Sequence, residues 1–290
     1  MVTSSTGMSN ISRHYQDVSC SVFAGQIHYR KAGEQDKPVL MMLHPSPLSS
    51  AFLQALIIEM SQHFLVIAPD SPGYGQSDAL TSSEQGLKPY VEVLTAFIDA
   101  LTAAAVITQP KVAVYGNATG AQIAIEFCKA QPQYCQRLLL ENACWFYDDE
   151  VEQLMSRYFP DLTPTDDGRH IECIADMCRR LFTHFPWFDN REQARFSHQT
   201  VSAEVLQLTM NEYLRAGKDY ARAYKAAMLN EKPEQLAQVH CATDIVVWRG
   251  SPVYKYCQRL AAYGFANHIR FHHVEGDMQH RIATLHDIVR

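Results

Sequence analysis

Six short apolar runs constrain this chain more than any other feature. Val39-Leu40-Met41-Met42-Leu43 is the first, and Phe64–Ala68, Lys111–Tyr115, Arg137–Leu140, Ile245–Trp248 and the weaker His268–Phe271 follow. A run without alternation predicts a strand buried on both faces. Helical spacing lies between the runs. Val91, Leu94, Ile98 and Leu101 share one face, as do Ile123, Ala124, Phe127 and Cys128. Strand and helix in alternation predict an α/β architecture, a mostly parallel sheet with helices on both faces. Ahead of it, Val18–Phe23 and Gln26–Arg30 alternate apolar and polar around Ala24-Gly25, which predicts a hairpin. Residues 1–17 are polar and expected to be a flexible segment.

The alternation stops between residues 145 and 238. That stretch has no strand-like run, but it has helical spacing (Ile171, Ile174, Ala175, Cys178) and a wealth of aromatics. An all-helical insertion there is expected to cap the carboxyl ends of the strands, where such sheets bind ligands. The core would then comprise residues 18–144 and 239–290.

Composition excludes whole classes of function. With a net charge of −6 over 290 residues, the chain lacks the positive field that nucleic-acid and anionic-membrane binders need. The longest apolar stretch, residues 91–107, contains Glu92 and Asp99, so no membrane span is expected. The first residues lack a basic region followed by an apolar run, so no secretory signal is read. The eight cysteines include no Cys-x-x-Cys, and no Cys/His spacing of a zinc site. They read as reduced, mostly buried thiols in a cytoplasmic protein, with no metal and no cofactor expected.

Tyr115-Gly116-Asn117-Ala118-Thr119-Gly120 joins the third run to a helical pattern. Glycines spaced in this way between strand and helix mark a nucleophile elbow, a turn too tight for a side chain at either glycine. At this point the sequence resembles the α/β-hydrolase superfamily. His44-Pro45-Ser46-Pro47 is similar to its oxyanion loop, and Asp70-Ser71-Pro72-Gly73-Tyr74-Gly75-Gln76-Ser77-Asp78 to its Asp-x-x-Gly-x-Gly-x-Ser-Asp turn. Gly276-Asp277-Met278-Gln279-His280 stands where the superfamily carries its catalytic histidine. The resemblance implies the α/β-hydrolase fold with a helical cap. It also implies amide donors to an oxyanion from Thr119 and Ser46.

Two positions depart from the superfamily pattern. Ala118 occupies the nucleophile position, and a methyl group attacks nothing. The segment 248–254 after the penultimate strand has no carboxylate, and Asp244 lies at that strand's far end. His280 remains as the candidate base, because imidazole exchanges protons near neutral pH. Glu141, ending the fourth run, is its candidate orienting acid. His44, Asn117, Trp145, Arg169, His170 and Trp187 are candidates for substrate contact, and Arg249 for the same part on the sheet side. Asp166 and Asp167 suit the start of a helix. Cys144 reads as a small hydrophobe.

Three readings stay open. The first is a hydrolase of an ester, amide or C–C bond in a small organic substrate, with Ala118 as an inactivating substitution. The second is a non-covalent enzyme, a lyase or cofactor-free oxygenase, using His280 as base. The third is a non-catalytic ligand binder. The expected partner is a small molecule, and pairing of two copies through the cap is left open.

Overall fold

Doubly buried strands need neighbours on both sides, and the sheet supplies them. The computed structural model describes residues 11–289. Its eight strands are β1 (Ser12–Cys20), β2 (Phe23–Ala32), β3 (Val39–Leu43), β4 (Leu65–Pro69), β5 (Val112–Asn117), β6 (Cys135–Glu141), β7 (Thr243–Trp248) and β8 (Ile269–Val274). They lie in the order β1-β2-β4-β3-β5-β6-β7-β8. β3 to β8 run parallel, and β1 and β2 antiparallel at one edge.

Side chains on strands alternate between faces, so each strand feeds two cores. Met41, Leu43, Ile67, Val114, Leu138 and Leu140 pack on one face with helices α2 (Lys88–Ala103) and α3 (Thr119–Ala130), the next helices after α1 (Gln54–Met60). Leu40, Met42, Val66, Ala113, Tyr115 and Leu139 pack on the other, against α1 and the last helix. Five helices stand between β6 and β7: α4 (Asp148–Arg157), α5 (Arg169–Leu181), α6 (Ala203–Ala216), α7 (Arg222–Asn230) and α8 (Pro233–Leu236). α9 (Tyr254–Ala261) and α10 (Met278–Val289) complete the chain.

The five helices are fastened to the loops at the carboxyl edge of β3 and β4. The Ser49 hydroxyl donates to Glu212 of α6 at 2.9 Å, and the Tyr74 hydroxyl donates to the Tyr220 carbonyl at 3.1 Å. Arg222 donates to the carbonyls of Ser82 and Glu84.

Two expectations are corrected. The hairpin turn falls at Ser21-Val22, because Ala24 and Gly25 pair with Ser19 and Val18 inside β2. Polar residues from Ser12 onward form the edge strand β1, whose outer side chains meet solvent and so read as a tail. Residues 1–10 of the expected flexible segment lie outside the described residues.

Asp70, just after β4, anchors the carboxyl edge. It accepts hydrogen bonds from His28 Nδ1 at 2.7 Å, the Ser50 amide at 2.7 Å and the Gln76 amide at 2.9 Å. Burial raises its pKa, but those bonds outweigh burial and bring it from 3.8 to about 2. A carboxylate depressed in this way stabilises the fold above pH 4 and loses that contribution as pH falls toward 2. Urea unfolding across this range should show a loss of about 2 kcal/mol that Asp70→Asn lacks.

Candidate functional site

The site is built where β5 passes into α3. Ala118 sits between them at φ 50° and ψ −113°, a conformation that L-residues rarely hold. Its flanks explain how it fits. A Cβ on Gly116 would stand 2.4 Å from the Gly120 carbonyl, and one on Gly120 would stand 2.3 Å from the Leu43 carbonyl. The Ala118 amide donates to the Glu141 carbonyl at 3.0 Å, tying the apex to the end of β6. The apex methyl is half-buried.

Around the apex, β5 and β6 end side by side, Asn117 in register with Glu141. Tyr115 and Asn117 share a face of β5, two residues apart. The Tyr115 hydroxyl donates to Glu141 at 2.6 Å, and burial pushes its pKa far up, so it stays a donor. Asn117 donates to the Tyr115 oxygen at 3.2 Å and accepts from Asn142 at 2.9 Å. Ser251 closes the chain on Asn142 at 2.6 Å.

The partner of Glu141 is Arg281. Its Nε and a terminal nitrogen reach the two carboxylate oxygens at 2.6 and 2.5 Å, a bidentate pair in which Glu141 is buried and Arg281 half-buried. This corrects the expected pairing of Glu141 with His280. The reason is helical phase. Neighbouring residues of a helix point about 100° apart, so α10 turns Arg281 inward and His280 outward. The His280 side chain is 72% exposed. Its Nδ1 bonds Asp277 at 2.8 Å, and Asp277 also accepts from the Gln279 and His280 amides at the start of α10. His280 thus belongs to a helix start.

Other candidates separate in the same way. His44 is fully buried, with Nδ1 donating to the Pro45 carbonyl at 3.0 Å and Nε2 accepting from the Ser71 amide at 2.8 Å. Burial lowers its pKa, so it is a neutral brace with both nitrogens used. Arg169 is an exposed partner of Asp167, and His170 Nδ1 accepts from the Thr165 amide. Trp145 stacks edge-on against Tyr147 and Tyr263, while Trp187 donates to the Tyr158 carbonyl. Arg169, His170 and Trp187 each bond a neighbour within the helical segment. Arg249 pairs with Glu275 at the surface. Asp244 is buried and held by Arg137, Arg270 and His272. Ser46 and Thr119, the expected donors, are both buried, and Asn117 is buried beside the apex.

Sequence reasoning missed Arg281 and Tyr115. A signal existed for the first: a charged residue directly follows His280, and the two point about 100° apart on a helix.

Residues 34–248 match the family described as serine aminopeptidase, S33. That match covers most of the chain. The chain belongs to the serine aminopeptidase S33 family of hydrolases. Outside the family match, the 30 kDa subunit of magnesium chelatase from Rhodobacter capsulatus is 32% identical over 100 residues, 34% of this chain and 33% of that one. An uncharacterized hydrolase of Saccharomyces cerevisiae is 28% identical over 106 residues, 35% of this chain and 34% of that one. The aligned region thus spans about a third of the length of these curated relatives. Among solved structures, an epoxide hydrolase from Vigna radiata superposes with a TM-score of 0.66 at 16% identity, covering 96% of each chain. The S33 family match and this likeness make the architecture the α/β-hydrolase fold. No helix among the described residues is long and apolar enough to cross a membrane.

Proposed function

We propose that this S33-family chain binds a small organic ligand at the Ala118 turn and does not cleave it by covalent acyl transfer. The observation that carries this reading is the Arg281–Glu141 pair, its carboxylate buried, beside an alanine apex. Covalent hydrolysis needs a nucleophile, a base within hydrogen-bond reach and an acid orienting the base. Ala118 has no lone pair to offer. The group on Glu141 is a guanidinium, which stays protonated and accepts no proton. His280 stands in solvent with Asp277.

The binding half of the scaffold supports the same reading. The amides of Thr119 and Ser46 are the oxyanion donors in this proposal, and residues 145–238 are the cap. Donors preset in a turn stabilise a carbonyl oxygen or carboxylate without any nucleophile. The test uses p-nitrophenyl acetate and butyrate. The wild type should match buffer alone, and Ala118→Ser should stay near it, because a serine without a base is a weak nucleophile. Adding Arg281→His to Ala118→Ser places an imidazole beside Glu141 and should raise the rate above either single change. Turnover by the wild type that disappears in His280→Ala would overturn the proposal.

One observation favours a second reading. The backbone strain at Ala118, on the order of 1–3 kcal/mol, is retained although a methyl makes no use of it. Under that reading the chain is an ester, amide or C–C hydrolase whose nucleophile position carries alanine. Ala118→Ser alone would then raise turnover by on the order of 10⁶-fold.

A further inference from the structure

Three of the cysteines that sequence spacing left as separate thiols meet in space. Cys128 lies near the end of α3, Cys135 opens β6, and Cys241 stands two residues before β7. They gather at the amino ends of the strands, the edge opposite Ala118. β6 runs for seven residues from Cys135 to Glu141, which at about 3.3 Å per residue separates the two edges by about 20 Å.

The three sulfurs lie within 4.8 Å of one another, and those of Cys135 and Cys241 are 3.4 Å apart. A cation about 2.3 Å from each of three sulfurs holds them about 3.8 Å apart in tetrahedral geometry and about 4.0 Å apart in a trigonal plane. The observed cluster brackets both spacings. Cys128 and Cys135 are buried and Cys241 is half-buried, so the site is enclosed but keeps an entry path. Among the described residues no histidine, carboxylate or fourth cysteine joins the group, which leaves one coordination position open. A donor set made of thiolates alone selects zinc(II) or copper(I) over calcium and magnesium, which take oxygen.

We propose that Cys128, Cys135 and Cys241 bind one thiophilic cation, zinc(II) or copper(I), that clamps α3, β6 and β7 together at the edge away from Ala118. Three S–H bonds break, three sulfur–metal bonds form, and three protons pass to solvent. No electrons are transferred. The site is independent of the ligand reading at Ala118.

The test titrates reduced, metal-free protein with cadmium(II) as the spectroscopic probe, then with zinc(II) and copper(I). The expected result is one equivalent per chain, a thiolate-to-cadmium charge-transfer band and a higher melting temperature. Cys241→Ser should lose all three, and Cys144→Ser should keep them. If Cys241→Ser fails to fold, X-ray absorption of the zinc-loaded wild type decides, with three sulfur neighbours at about 2.3 Å expected. Failure of the wild type to take up cadmium(II), uptake unchanged in Cys241→Ser, or fewer than three sulfur neighbours would overturn the proposal.

Discussion

Arg281→Ala should lower stability by about 3–5 kcal/mol, the cost of leaving a buried charge without its partner. Glu141 is only 2% exposed and holds both its oxygens toward Arg281. After the change, only the Tyr115 hydroxyl remains of its side-chain partners. Burial lowers the Arg281 pKa and Glu141 more than restores it, so the guanidinium stays charged. Arg281→Lys should lie between wild type and alanine, since a point charge cannot make the two-pronged contact. Urea midpoints for the three proteins check the order. A guanidinium that made no net contribution would leave all three alike.

Gly120→Ala should be nearly as damaging, at about 3 kcal/mol, for a different reason. Its new methyl would stand 2.3 Å from the Leu43 carbonyl oxygen and 2.8 Å from that of His44. Both are backbone atoms at the end of a central strand, so neither can swing aside as a side chain would. Overpacking against fixed neighbours costs about 1–3 kcal/mol, and the rigid strand puts this site at the upper end. Gly86→Ala is the control. Nothing lies within 4 Å of its new carbon, and only its φ of 89° opposes the change. It should cost about 1 kcal/mol. Equal losses at the two glycines would contradict the steric account of the turn.

The sheet was legible because burial on both faces writes itself into a strand as an unbroken apolar run. Met41 and Met42 point to opposite faces, and both are fully buried. The edge strand β1 was illegible for the complementary reason. Arg13, Asp17 and Ser19 face solvent, and the strand is held at the edge by its pairing with β2. The tight turn was legible because its glycines answer a local steric demand. The partner of Glu141 was not. Whether residue 280 or 281 faces the sheet depends on the phase at which α10 begins, and Asp277 sets that phase through hydrogen bonds to two amides. The cysteine cluster escaped because spacing rules read ligands within one segment. Here α3, β6 and the approach to β7 each contribute one.

The chemistry open to the site turns on which side chain answers Glu141. A double-mutant cycle measures this directly, because it isolates the energy shared by two residues. Stabilities of Glu141→Gln, Arg281→Met and the double variant should return a coupling of about 2–3 kcal/mol. The same cycle with His280→Ala should return a value near zero. A strong coupling to His280 with none to Arg281 would contradict the account and return the imidazole to the site.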